Sequence, residues 1–382
     1  MTPRDDQRPP QDSGPEPASD ERALEQVGPE LVDLPSDQAP AEGEDLRTWL
    51  EGTLETLPAS LGRHRSKLLR KGLTGLIDIA ASRSNLLETK MVTQAIDELA
   101  EAFGVFAPYR DRRKVAIFGS ARTGPGTAPY ETAKELAAAL VSDGFMVITG
   151  AGPGVMQAGN EGAGREQSFG LNIDLPFEQS ANPFIDGDPK LVDFRYFFTR
   201  KLVFVKEASA IVACPGGFGT QDELFESLTL LQTGRGEVVP IVLYQPPGDV
   251  YWEHWLLYVK SELLREGLIG EADLELFEIA SSADEARAII TGFYRRYHSS
   301  RYVRNDLLIR MKSELPDGGI ERLNDEFGEI LREGGGAIRA CDPVLPHEQD
   351  VPELHDLPRL LVPFNRHNYG QLKKLIGVIN EL

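Results

Sequence analysis

Cysteine is nearly absent: the 382 residues contain two, Cys214 and Cys341, far apart and outside any metal-ligand spacing. A disulfide framework and a zinc site are therefore not expected. Long hydrophobic runs are missing too. No stretch approaches the roughly 18 uninterrupted apolar residues of a membrane helix, and the opening MTPRDDQRPPQDSG lacks the apolar core of a secretory signal. The expectation is a cytoplasmic protein without a membrane partner. Positive charge is scarce, with 40 Lys and Arg against 60 Asp and Glu and a formal net charge of −20. Such a chain repels phosphate backbones at long range, and no local basic face offsets this, so nucleic-acid binding is not expected as its main role.

The charge is uneven. Residues 1–45 hold 13 Asp and Glu against 3 Arg, together with eight prolines and no aromatic residue. A segment of that composition buries too little apolar surface to offset its ordering entropy, and is expected to be a disordered acidic tail. The remainder belongs to a chain with 41% hydrophobic residues, ample for a core. Residues 46–110 read as a helical preface, with apolar residues three and four apart in LRTWLEGTLETL, SKLLRKGLTGLIDIAA and MVTQAIDELAEAFGVF. From RRKVAIFGSA the period changes. Short apolar runs there and in FMVITG, FGLNIDLP, SAIVAC and VPIVLY alternate with helical stretches such as ETAKELAAALVSDG and QDELFESLTLLQ. This alternation predicts an α/β domain over 111–299, with a doubly wound, Rossmann-like parallel sheet. Residues 300–382 read as a small α/β appendage: strand YVRNDLLIRM, helix GIERLNDEFGEILREG, strand LPRLLVPF and helix NYGQLKKLIGVINEL.

In a doubly wound sheet, ligands collect beyond the carboxyl ends of the strands. Three such ends are glycine-rich: FGSART, TGAGPGVMQAG and CPGGFGTQDE. Glycine lets backbone N–H groups approach an anion without a Cβ in the way, and a helix starting next adds its positive end. Each loop taken alone is equally a tight strand-to-helix turn; three converging on one site favour phosphate binding. GAGPGV fits a dinucleotide fingerprint poorly, since it does not follow the first strand, and no cofactor is expected. The helix after CPGG is expected to begin at Gly219 and Thr220 and to carry Asp222 and Glu223 in its first turn. Acids there also suit the helix dipole, whatever their chemistry. Glu223, Glu226, Thr229 and Gln232 share a face at spacings of three, a polar stripe suited to a hydroxyl-rich ligand. In RYFFTRKLVFVKEA, Phe197, Arg200 and Phe204 share another face. Alone, that arginine would be one whose stem covers the core.

The stretch TRKLVFVKEASAIVACPGGFGTQDE resembles the Lonely Guy (LOG) family, whose signature is an Arg-Lys pair on a helix followed at this spacing by a Pro-Gly-Gly-x-Gly-Thr-x-x-Glu run. FGSA and TGAGPGVMQAG are similar to the family's other two loops, and LPFEQSANP to a segment of its larger bacterial members. The resemblance, over roughly 114–245, implies a nucleoside 5′-monophosphate phosphoribohydrolase, acting on AMP or a cytokinin ribotide and releasing the base and ribose 5-phosphate. Carried over residue by residue, Glu223 is the catalytic carboxylate and Arg200 the catalytic arginine. Gly216, Gly217, Gly219 and Thr220 hold the 5′-phosphate, and Gly119, Ser120, Gly152 and Gly154 line the other loops. The family's older label, lysine decarboxylase, is disfavoured, because no lysine is singled out for a Schiff base. A homodimer or larger assembly is implied, and a non-catalytic nucleotide-binding protein of the same fold is the alternative.

Overall fold

The computed structural model describes residues 62–82, 84–175, 180–341 and 354–382. The acidic tail, the helix expected in LRTWLEGTLETL and the PFEQ part of LPFEQSANP lie outside these residues. The chain divides into two units, Met1–Thr89 and Lys90–Leu382. In the first, helix α1 spans Gly62–Ala81, and α2, Leu86–Phe106, begins. The start of α2 is a reciprocal cap: Glu88 N donates to Asn85 Oδ1 and Asn85 N to Glu88 Oε2, each at 2.9 Å.

The second unit is built on a seven-stranded parallel sheet in the order β4-β3-β2-β1-β5-β6-β7. Its strands are β1 Lys114–Phe118, β2 Met146–Thr149, β3 Ser168–Ile173, β4 Leu191–Phe194, β5 Ala210–Ala213, β6 Ile241–Tyr244 and β7 Phe277–Ala280. The helices between them are α3 Ala128–Ser142, α4 Val155–Ala163, α5 Phe197–Glu207, α6 Phe218–Gln232, α7 Tyr251–Tyr258 and α8 Ala283–Phe293. Val115 and Ile117 enter one core layer with Tyr130, Leu136 and Ile290, whereas Ala116 and Phe118 enter the other with Phe169, Phe204 and Trp252. A strand covered on both faces must be apolar at every position, which is why the central strands read as unbroken runs. The edge strands β4 and β7 were not legible. Each has four residues of which only two are buried, and each carries an acid, Asp193 in β4 and Glu278 in β7, so neither forms an apolar run.

A second, antiparallel sheet, β10-β11-β9-β8, consists of β8 Tyr297–Val303, β9 Asp306–Met311, β10 Arg339–Ala340 and β11 Arg359–Val362, with α9 Gly319–Phe327 and α10 Tyr369–Glu381. The single strand expected in YVRNDLLIRM is instead the end of the first arm, the turn and the second arm of a hairpin. The chain reverses at Arg304, which takes φ 56°, so β8 pairs with β9. The helix expected through GEILREG stops at Phe327 and tightens into a 3-10 turn over Gly328–Ile330. Leu307, Ile309, Leu360, Leu375 and Ile379 share the core layer of Val115 and Ile117. Among the described residues no helix is long and apolar enough to cross a membrane.

The sheet order reverses between β1 and β5, so the crevice beyond their carboxyl ends is the switch point where an open α/β sheet binds ligands.

Candidate active site

Gly119 and Ser120 leave β1 directly into that crevice, and the backbone of Ser120 joins the other two loops. Its N–H donates to Pro215 O at 3.1 Å and its carbonyl accepts from Val155 N at 3.0 Å. Glycine is required beside it. A Cβ on Gly119 would lie 2.6 Å from Val155 Cγ1, and one on Gly154, at φ +73°, would lie 2.2 Å from Ser120 O. Gly154→Ala should therefore lower the melting temperature, through backbone strain of about 1–3 kcal/mol. An unchanged thermal transition would show that the loop relaxes without Ser120.

The second loop, Gly150–Gly154, is held from beneath by a buried polar cluster. Thr149 Oγ1 donates to Asn160 Oδ1 at 2.7 Å, and Asn182 Nδ2 reaches Asn160 Oδ1, Ala151 O and Gly152 O at 2.9, 3.0 and 3.1 Å. Asn182 comes from beyond β3, and nothing local in the sequence connects it to this loop.

The third loop turns at Pro215–Gly217 into α6. Gly217 is the N-cap residue and the first helical bond is Gln221 N to Gly217 O, so α6 starts at Phe218, and Asp222 and Glu223 stand in its second turn rather than its first. The amides of Phe218, Gly219 and Thr220 are the donors that a helix N-terminus leaves without intrahelical acceptors. Gly216 has no room for a Cβ, which would fall 2.2 Å from Thr220 Oγ1, whereas Gly217 and Gly219 face open space.

Two charged side chains come from α5, whose start is fixed by Glu98. That carboxylate, buried on α2, accepts from Arg195 N at 2.8 Å and from the Thr199 hydroxyl. One turn on, Arg200 Nε donates to Leu171 O at 2.8 Å, and the guanidinium lies over the Phe204 ring, 5.2 Å from its centroid. A Cβ on Gly150 would come within 2.4 Å of Arg200 Nη2, so this glycine makes room for the arginine. Lys201 Nζ bridges Asp222 Oδ2 at 2.7 Å and Glu226 Oε2 at 2.9 Å. Burial works to lower the Lys201 amine, but its hydrogen bonds to Asp222 and Glu226 overcome this and raise it.

Glu223 is 7% exposed. Burial pushes its carboxyl up to about 7; Arg200 and Lys201 oppose that shift, while Glu226 and Asp222 add to it. A carboxyl so placed is partly ionised near neutral pH, the condition for exchanging a proton with a reacting group. The polar stripe expected along α6 does not reach further. Thr229 Oγ1 bonds back to Phe225 O at 2.7 Å, and Gln232 Nε2 binds Asp273 Oδ2 at 2.7 Å, so both are used in holding the helix.

The crevice thus joins the three glycine loops through Ser120 and places Arg200, Lys201 and Glu223 in mutual electrostatic contact. Residues 152–290 match the family described as possible lysine decarboxylase. Over 184 residues the chain is 28% identical to a probable cytokinin riboside 5′-monophosphate phosphoribohydrolase, LOG4, of Oryza sativa subsp. japonica, covering 47% of this chain and 76% of the relative. Among solved structures, a molybdenum cofactor binding protein of Rippkaea orientalis is similar at 19% identity and a TM-score of 0.34, covering 47% of this chain and 96% of its own. The molybdenum cofactor carrier protein of Chlamydomonas reinhardtii gives 17% and 0.34, with the same coverage. On the signature from Arg200 to Glu223, the family match and the rice relative, the parallel-sheet unit is similar to the Lonely Guy (LOG) family.

Proposed function

We propose that the protein is a nucleoside 5′-monophosphate phosphoribohydrolase, which hydrolyses the N-glycosidic bond of AMP or a cytokinin ribotide to the free base and ribose 5-phosphate. The observation that carries this is Glu223, a buried carboxyl one turn above a glycine-rich helix N-terminus, with Arg200 and Lys201 near enough to act on its charge. In this mechanism the amides around Gly216–Thr220, aided by the positive end of α6, hold the 5′-phosphate. Anchoring it sets the anomeric carbon against the second turn of α6. As the bond between sugar and base breaks, its electron pair leaves with the base and positive charge builds on the ribose; the Glu223 carboxylate stabilises that charge and takes a proton from the attacking water, and that proton passes on to the departing base, which leaves as the neutral free base and restores the carboxylate. Arg200 orients the carboxylate and the sugar hydroxyls. Lys201 pairs with Asp222 and Glu226 and so offsets part of their repulsion of the Glu223 carboxylate.

A lysine Schiff base is poorly supported here. The lysine beside the loops is clamped by two carboxylates that stabilise its ammonium form, and a nucleophilic amine must be neutral.

The same reading includes a homodimer or larger assembly. Phe197, Phe198 and Leu202 on α5, and Phe218 and Phe225 on α6, are exposed beside the crevice, with Phe218 at 96%. Apolar side chains clustered at a site are suited to cover by a second copy. Light scattering at micromolar concentration should give at least twice the 42.1 kDa chain mass; a compact monomer would remove the dimer from the proposal.

Incubation with a panel of nucleoside 5′-monophosphates and cytokinin ribotides should release free base, detected by chromatography. Tight nucleotide binding without any release would favour the non-catalytic alternative.

A further inference from the structure

Tyr251 stands at the start of α7, 35 residues beyond the third loop, and its hydroxyl meets that loop from behind. The phenol donates to Gly216 O at 2.6 Å and accepts from Gln221 Nε2 at 2.8 Å. Its ring is held edge-on against the buried Trp252, with centroids 4.8 Å apart. In a trans peptide the C=O and N–H vectors point in opposite directions. Drawing the Gly216 carbonyl toward Tyr251 therefore turns the Gly217 N–H the other way. Ser120 acts in the same manner one peptide earlier: its N–H holds Pro215 O at 3.1 Å, which directs the Gly216 N–H away from Ser120. Two consecutive carbonyls, which would repel an anion, are thus tied to protein donors. The Gly216–Gly217 peptide, flanked by two residues without Cβ atoms, would otherwise be free to rotate.

We propose that Tyr251 is a positioning residue for phosphate: through Gly216 O it orients the amide of the third loop, and through Gln221 it fixes that loop against the second turn of α6, which bears Glu223. The proposal rests on the phosphate reading of this loop and deepens it. Tyr251 acts on anion binding and leaves the reacting bond alone.

Tyr251→Phe removes the donor and keeps the ring packing. It is expected to weaken binding of ribose 5-phosphate, measured by calorimetry, about three- to tenfold, the range of one neutral hydrogen bond. With a nucleoside 5′-monophosphate as substrate, KM should rise by the same factor while kcat changes less than twofold. The KM of the matching nucleoside should stay put, which a general loosening of the fold would not leave unchanged. Gln221→Leu, which retains the Tyr251–Gly216 bond, should weaken ribose 5-phosphate binding less, and stands in for Tyr251→Phe if that variant melts early. Unaltered ribose 5-phosphate affinity in folded Tyr251→Phe, or equal losses for nucleotide and nucleoside, would overturn the proposal. If the wild-type protein binds neither ribose 5-phosphate nor nucleotide, the phosphate reading itself fails and the role of Tyr251 with it.

Discussion

Glu223→Gln is expected to lower kcat by about two orders of magnitude or more while nucleotide affinity survives, in line with the loss of a general base or of a charge aimed at the transition state. The amide keeps the volume and much of the hydrogen bonding but can neither accept the proton of water nor stabilise an oxocarbenium ion. Because burial holds the wild-type carboxyl at about 7, kcat/KM should rise with pH through that value to a plateau, and the glutamine variant should lack this limb. Stability supplies an independent check. The folded pKa lies above the usual glutamate value of 4.5, so between pH 4.5 and 7 the native state holds a proton that the unfolded chain has released. By linkage, stability falls as pH rises through this window, by up to about 3 kcal/mol for a shift of that size. The variant carries no such penalty. It should melt above the wild type at pH 8, and the gap should close toward pH 5. Wild-type kcat in the variant would remove Glu223 from the mechanism, and equal melting at both pH values would show that its burial has no energetic consequence.

Removing the 5′-phosphate from the substrate is expected to lower kcat/KM by about three orders of magnitude or more. Hydrogen bonds to a charged group contribute about 1.5–3 kcal/mol each, so two or three loop amides suffice for such a loss. In the proposed mechanism these contacts lie away from the reacting bond, and binding energy there would serve to place the anomeric carbon against Glu223. Comparing AMP with adenosine, or whichever nucleotide the panel favours with its nucleoside, measures the effect directly. Equal turnover of the two would sink the assignment of the third loop.

The architecture is legible in the order of the amino acids because its signals are local. Val115–Phe118 and Ala210–Ala213 are unbroken apolar runs since both faces of these strands are covered, and glycine follows within three residues of each, at Gly119 and Gly216, where the chain turns into the crevice. The spacing of Arg200, Pro215–Gly217 and Glu223 was legible for the same reason: one helix, one strand and one turn join them within 24 residues. Edge strands β4 and β7 and the hairpin at Arg304 escaped, because half-exposed strands lack a run and the reversal occurs at a residue that gives no turn signal.

Which of the polar residues share the crevice, and in what state, depends on packing between elements distant in the chain. Thr229 and Gln232 have the same spacing on α6 as Glu223 and Glu226, yet Thr229 is spent on a backbone carbonyl and Gln232 on Asp273, 41 residues away. Glu98, Asn182 and Tyr251 brace α5, the second loop and the third loop across separations that no period or motif encodes. The charge of Glu223 depends on how much water is excluded around it and on how closely Arg200 and Lys201 approach, and both are properties of packing between elements distant in the chain. A sequence pattern records side-chain type and local spacing; desolvation and the distances between charges exist only once the chain has folded.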